Sequence, residues 1–285
     1  MGEPFKNKNL EIVWEATNQL PKTLNVYKVL PSKFSSEVIS NVIAMCEFKN
    51  PTQAEHALLP VLEGKNASFE SLSISPERGE ISYFNSKVIA LPRQPVEGVP
   101  SVEETLKLSL KILGQLDIDK SQIARKPGNN EFLFWRDERV LGGRVEGKYI
   151  KRETARGIYL IRAVDGIRFN GIGFFGGLYV NFGNNARIAQ IDFVWRNLEL
   201  KRQSPVADKK QIMQWIKDGK AALVPGEDIS FNPASIKKLA ITKIIPFYFG
   251  KNGMEVQNMV YPAAEIIAKI NDTTNLVSLT CPIVK

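Results

Sequence analysis

The stretch from Leu178 to Trp195 constrains this chain more than any other. Leu178-Tyr179-Val180-Asn181-Phe182 has strand composition, and Gly183-Asn184-Asn185 supplies turn residues. Ala189, Ile191, Phe193 and Trp195 then alternate with polar neighbours. A period of two marks a strand with one buried face, and two such runs joined by a short Gly/Asn loop make a hairpin. Such a hairpin buries its apolar face only as part of a larger sheet packed on another layer.

A second hairpin comes earlier in the chain. Leu72 and Ile74 alternate with serines, Ile81 and Tyr83 alternate with polar residues, and Pro76-Glu77-Arg78-Gly79 lies between as a turn. Three helices carry start signals. Ser35 or Ser36 caps a run with Val38, Val42 and Met45 on one stripe, and Ser101-Val102-Glu103-Glu104 is a capping box before Leu106, Leu110, Leu113 and Leu116. Asp208, with Gln211 three residues on, opens a third helix with Ile212, Trp215 and Ile216 facing one way. Further strands are expected at Val26–Leu30, from Phe132 to a turn at Gly142-Gly143, at Ile158–Val164, and near 237–248, 255–261 and 276–284.

This order predicts an α+β protein: helices packed on antiparallel β-sheets, in two lobes with loosely repeated strand-helix-hairpin modules. Pro92, Pro95, Gly98 and Pro100 crowd one connector. They place a domain boundary there, giving an N-terminal lobe over 1–95 and a larger lobe over 96–285.

Several chemistries find no support in the residues. Gly171-Ile172-Gly173-Phe174-Phe175-Gly176 matches a dinucleotide fingerprint literally. That motif works only where a helix leaves it, and here an expected strand does. His56 is the single histidine, too few for a His-based triad or a multi-histidine metal site. Glu103–Glu104, Asp137–Glu138 and Glu227–Asp228 are adjacent carboxylates that point apart and read as solvated charge. Cys46 and Cys281 form neither a disulfide framework nor a metal spacing. A bridge between them in an oxidising compartment stays open. No apolar run reaches the roughly 18–20 residues of a membrane span. The expectation is no enzyme, no cofactor and no metal.

Binding surfaces are the remaining reading. Trp135 and Trp195 are aromatic candidates for stacking on a partner, and Arg196 could pair with an acidic one, although aromatic residues at alternate strand positions are more often core. The net charge of +8 favours acidic partners in general. The basic residues occur as scattered doublets such as Lys201-Arg202 and Lys209-Lys210. That spread counts against nucleic acid, which is tracked by a clustered basic stripe.

From about 156 to 285 the chain resembles the extracytoplasmic PepSY-like family, including envelope regulatory proteins of two-component systems. Asp165-Gly166-Ile167, Gly176-Gly177-Leu178-Tyr179-Val180-Asn181-Phe182, Gly183-Asn184-Asn185, Ile188, Trp195-Arg196, Tyr261-Pro262 and Cys281-Pro282 carry the likeness. The resemblance implies a non-enzymatic protein, secreted or tethered, that restrains a protein partner such as a protease or sensor component. No signal sequence opens the chain, so a cytoplasmic location is the alternative. Two other functions remain as alternatives: a carboxylate-dependent hydrolase acting on polysaccharide or peptide, and a basic nucleic-acid-binding protein.

Overall fold

The computed structural model describes residues 4–5, 9–48, 70–89, 95–145, 148–171, 175–224, 235–251 and 255–285. Three strands, β1 (Pro4–Phe5), β2 (Glu11–Trp14) and β3 (Thr23–Leu30), precede helix α1 (Ser36–Met45). Strands β4 (Glu70–Ser75) and β5 (Glu80–Asn85) lead to helix α2 (Val102–Gln115). Seven strands come next: β6 (Phe134–Val145), β7 (Lys148–Ile161), β8 (Ala163–Val164), β9 (Ile167–Gly171), β10 (Gly177–Phe182), β11 (Ile188–Val194) and β12 (Asn197–Pro205). Helix α3 (Lys209–Lys217) then precedes β13 (Ala221–Leu223), β14 (Lys238–Gly250), β15 (Met259–Val260), β16 (Pro262–Ile270) and β17 (Leu276–Pro282). The protein is α+β.

Contacts divide the chain into two compact units. One comprises Met1–Val29, Leu198–Gly250 and Asn258–Lys285; the other comprises Leu30–Asn197 with Lys251–Gln257. The division does not fall at the proline-rich connector near residue 95. Strand β5, before that connector, pairs with β11 far beyond it, with Ile81 opposite Phe193 and Tyr83 opposite Ile191. The two hairpins read from the sequence therefore lie side by side in one sheet, and residues 1–95 do not close on themselves.

In the Leu30–Asn197 unit, six antiparallel strands run in the order β4-β5-β11-β10-β7-β6. Leu72, Ile81, Leu178, Val180, Ile191 and Phe193 are buried in one cluster with Val42 of α1 and Ile112 and Leu113 of α2. Each such side chain removed from water stabilises the fold by about 1.5–3 kcal/mol. The helices are held at their starts. Ser35 Oγ accepts from the Val38 amide, and Ser101 and Glu104 form the reciprocal capping box. One face of the sheet is thus committed to the helices, and the other belongs to the alternate residues.

The second unit has a mixed sheet. Its strands run β1-β13-β17-β16-β14, and β2 lies parallel to β14 with Ile12 opposite Leu239. Strand β3 pairs with β12 and β15. Helix α3, capped by Asp208, buries Ile212, Trp215 and Ile216, the face its spacing predicts.

Two local expectations need correction. Gly142-Gly143 does not turn the chain; it lies inside β6, whose pairing continues to Val145 opposite Lys148. A Cβ on Gly142 would sit 1.9 Å from the Tyr149 hydroxyl, so this glycine makes room for a cross-strand tyrosine. The strand expected over 255–261 is only Met259–Val260, while Pro262–Ile270 is a full strand opening on proline, a position where the missing amide costs little.

Candidate functional site

The face of the six-stranded sheet away from the helices carries the polar side chains. Register sets them in rows. Trp135, Tyr159, Tyr179, Asp192, Ser82 and Ser73 are successive cross-strand partners on β6, β7, β10, β11, β5 and β4. The adjacent row begins Asp137, Gly157, Asn181, Gln190.

Side chains arch over this face. The Tyr179 hydroxyl donates to the Asp137 carboxylate two strands away and accepts from Asn181 Nδ2 at 2.8 Å. Arg139 Nη2 donates to Gln190 Oε1 at 3.0 Å, three strands away. On a flat sheet that separation is about 14 Å, at roughly 4.8 Å per strand. Two long side chains thus meet across the intervening strands, and the Tyr179 ring passes over Gly157. Gly157 is what permits the first bridge: a Cβ there would lie 2.8 Å from Tyr179 Cε2 and from its hydroxyl.

Trp135 forms the outer wall. Its indole, 46% exposed, stacks on Tyr159 at 5.4 Å between centroids and 26° between planes. Phe175 meets it edge-on at 5.9 Å. The Tyr159 hydroxyl accepts from the Gly176 amide at 3.2 Å, which anchors the ring beneath. Trp135 is thus fixed from one side and open on the other. Beside it lies a recess of about 350 Å³ lined by Trp135, Arg136, Asp137, Arg139, Tyr159, Tyr179 and Gln190.

Charge on this sheet face is unevenly solvated. Burial, foremost, pushes the Asp192 carboxyl above its ordinary range, against the lowering effect of Gln190 Nε2 (2.5 Å) and Ser82 Oγ (3.0 Å), which both donate to it. Burial also raises the Tyr179 phenol, with the Asp137 charge adding to the effect. Both tyrosines stay neutral at physiological pH. They are hydrogen-bonding and stacking groups.

Of the residues singled out from sequence, Trp135 lies at this recess. Trp195 and Arg196 do not, and neither presents a surface. Trp195 is 5% exposed, stacks on Phe193 at 5.7 Å and donates from Nε1 to Gln122 Oε1 at 3.2 Å. Arg196 is 4% exposed and spends its guanidinium on the Lys251 and Glu255 carbonyls and Gln257 Oε1, at 3.0, 3.1 and 3.2 Å. The buried Arg162 guanidinium lies over Trp195 at 4.8 Å and donates to the Arg196 carbonyl at 2.6 Å. Trp195 and Arg196 hold the fold together.

The chain leaves the glycine-rich corner as strand β10, beginning at Gly177, where a dinucleotide site needs a helix. His56, Glu227–Asp228 and residues 172–174 of the corner lie outside the described residues. Cys46 and Cys281 are both free and buried; burial raises the Cys46 thiol and pushes Cys281 up to about 12. Among the described residues, no cluster of three His, Cys, Asp or Glu could hold a metal, and no helix is long and apolar enough to cross a membrane.

Sequence reading missed Asp137, Arg139, Tyr179 and Gln190. They come from β6, β10 and β11, and only the register brings them together.

Comparison with known proteins adds little. No family model matches the chain, and no curated protein matches it. Among solved structures, an uncharacterized protein from Eubacterium rectale is similar with a TM-score of 0.45 at 10% identity, over 95% of this chain and 85% of that one. That likeness carries no functional argument.

Proposed function

We propose that this chain is a non-catalytic binding protein that engages a protein partner through the long β6–β7 ribbon and the recess beside it. The carrying observation is Trp135: an indole held rigidly by Tyr159 and Phe175, half open to solvent, beside Arg139 and Asp137. Rigid aromatic anchors flanked by arginine are the usual centres of binding energy at protein interfaces. Nine large hydrophobic side chains stand exposed among the described residues, and Trp135, Val140, Tyr149 and Ile150 of this ribbon are four of them. The resemblance to PepSY-like envelope proteins supports a regulatory role outside the cytoplasm, restraining a protease or sensor component.

Photo-crosslinking tests the reading. Benzoylphenylalanine at Val140 or Ile150 is expected to capture one partner from envelope extracts, and Trp135→Ala to abolish capture. The same probe at exposed Leu276 is the control. Equal capture from both places, or none from the ribbon, would sink the proposal.

A second reading has one observation behind it. Asp137 and Asp192 lie on the same sheet face with Tyr179 between them, as a hydrolase acting on polysaccharide or peptide would require. Both Asp192 oxygens are occupied by Ser82 and Gln190, which argues for a structural carboxylate. Turnover of either polymer by the purified protein, lost in Asp192→Asn, would establish the hydrolase instead.

A further inference from the structure

Resting on that reading, we propose that the partner supplies an extended acidic segment, which adds to the outer edge of β6 as a further strand and places alternate side chains in the recess beside Trp135. Strand β6 ends the sheet, and among the described residues it pairs with β7 alone. An edge strand offers a row of backbone donors and acceptors to any extended chain of matching register.

The recess lies against that edge. Trp135, Asp137 and Arg139 are alternate residues of β6 and all line it. A strand laid about 4.8 Å outside β6 repeats with the same period of two, so every second side chain falls over the same face. A β-bulge between Arg139 and Val140 interrupts the register. Regular pairing is thereby limited to Phe134–Arg139, about the length of an ordinary strand.

Charge selects the occupant. Strands β6 and β7 carry seven Lys and Arg against three Asp and Glu, so +4 of the chain's +8 resides on these two strands. The basic residues are spread from Arg136 to Arg156, with Lys151 and Arg152 adjacent, and pairing gathers them on one ribbon. The same charge opposes pairing of two copies of this edge and favours an acidic chain, excluding one partner by the means that attracts another.

A displayed library of random peptides of about ten residues, selected on the full chain and counter-selected on its Trp135→Ala form, tests the inference. Expected are sequences with Asp or Glu at alternate positions, bound at least about tenfold more weakly by Arg139→Glu. Resynthesis with alternate amides N-methylated is expected to weaken binding about tenfold in one methylation register and little in the other, since only one set of amides faces β6. Tolerance of both registers, enrichment without acidic residues, or tighter binding of a single-stranded oligonucleotide would overturn strand addition. Ribbon crosslinks to a protein together with any of those results would leave the binding proposal standing and remove this one. No ribbon crosslinks together with acidic, register-sensitive peptides would uphold edge recognition of an acidic strand while removing the reading that the ribbon captures a protein partner.

Discussion

Two glycines in neighbouring strands matter to the stability of this protein to different degrees. At Gly157 the space a Cβ would need is filled by Tyr179, a buried ring tied to Asp137 and Asn181. At Gly142 it is filled by the hydroxyl of Tyr149, whose side chain is 66% exposed and has room to swing away. Gly157→Ala is expected to cost about 1–3 kcal/mol, the range for forcing atoms into a packed site. Gly142→Ala is expected to cost under about 1 kcal/mol, and its better strand propensity offsets part of that. Urea denaturation of the two variants checks the order; equal costs would mean that the Tyr179 bridge is not held in place. Asp192 gives a prediction with a definite sign. Burial raises its folded carboxyl above the unfolded value of about 3.9. Its stabilising contribution is complete below that unfolded value and is lost as pH rises through the folded one. Asp192→Asn has no such titration, so its stability relative to the parent is expected to improve between pH 4 and pH 7. A relative loss over that interval would show that the Ser82 and Gln190 bonds outweigh burial.

At the scale of elements, the sequence was legible wherever the decisive interactions are local. Ser35, Ser101 with Glu104, and Asp208 mark the starts of α1, α2 and α3, because a cap is satisfied within a few residues. The hairpins β4–β5 and β10–β11 were visible from alternation alone. Legibility ended at pairing. Nothing near Tyr83 says that Ile191 will lie opposite it, so the boundary drawn at residue 95 cut through a single sheet. The candidate site suffered likewise. Trp135 and Trp195 each end or begin an alternating run, and alternation tells which residues share a face without telling which face is covered. Only the position of β6 at the sheet edge leaves Trp135 open, and only the Phe193–Trp195–Arg162 stack encloses the other. Asp137 beside Glu138 read as solvated charge for the same reason. Its partner Tyr179 is 42 residues away. Glu138, pointing the other way, meets Arg156 at 3.9 Å.

For the molecule as a whole, the chain builds part of one unit, runs through the other from Leu30 to Asn197, and returns, with Lys251–Gln257 crossing back once. Arg196 fastens that returning segment, since its three acceptors are Lys251, Glu255 and Gln257. Burial holds its guanidinium below its ordinary range, with the Glu80 and Glu255 charges opposing the effect, so these bonds are made by a cation largely removed from water. Hydrogen bonds to charged groups contribute about 1.5–3 kcal/mol each in favourable cases, and abandoned buried acceptors carry a further cost. Arg196→Met, which keeps much of the bulk, is therefore expected to destabilise its own unit by about 2–4 kcal/mol. The protein contains its own reporters for this. Cys46 lies in the unit that holds Arg196 and Cys281 in the other, and both are buried free thiols with raised pKa. Neither reacts until its surroundings open, because reaction needs both access and the thiolate. Maleimide labelling across a urea series, read separately at each cysteine by peptide mass, measures the opening of each unit in the intact chain. In Arg196→Met the urea needed to label Cys46 is expected to fall well below that of the parent, by more than any change at Cys281. A variant in which Cys46 keeps its parental midpoint would show that the guanidinium merely occupies its site, and that the Lys251–Gln257 segment is held by something else.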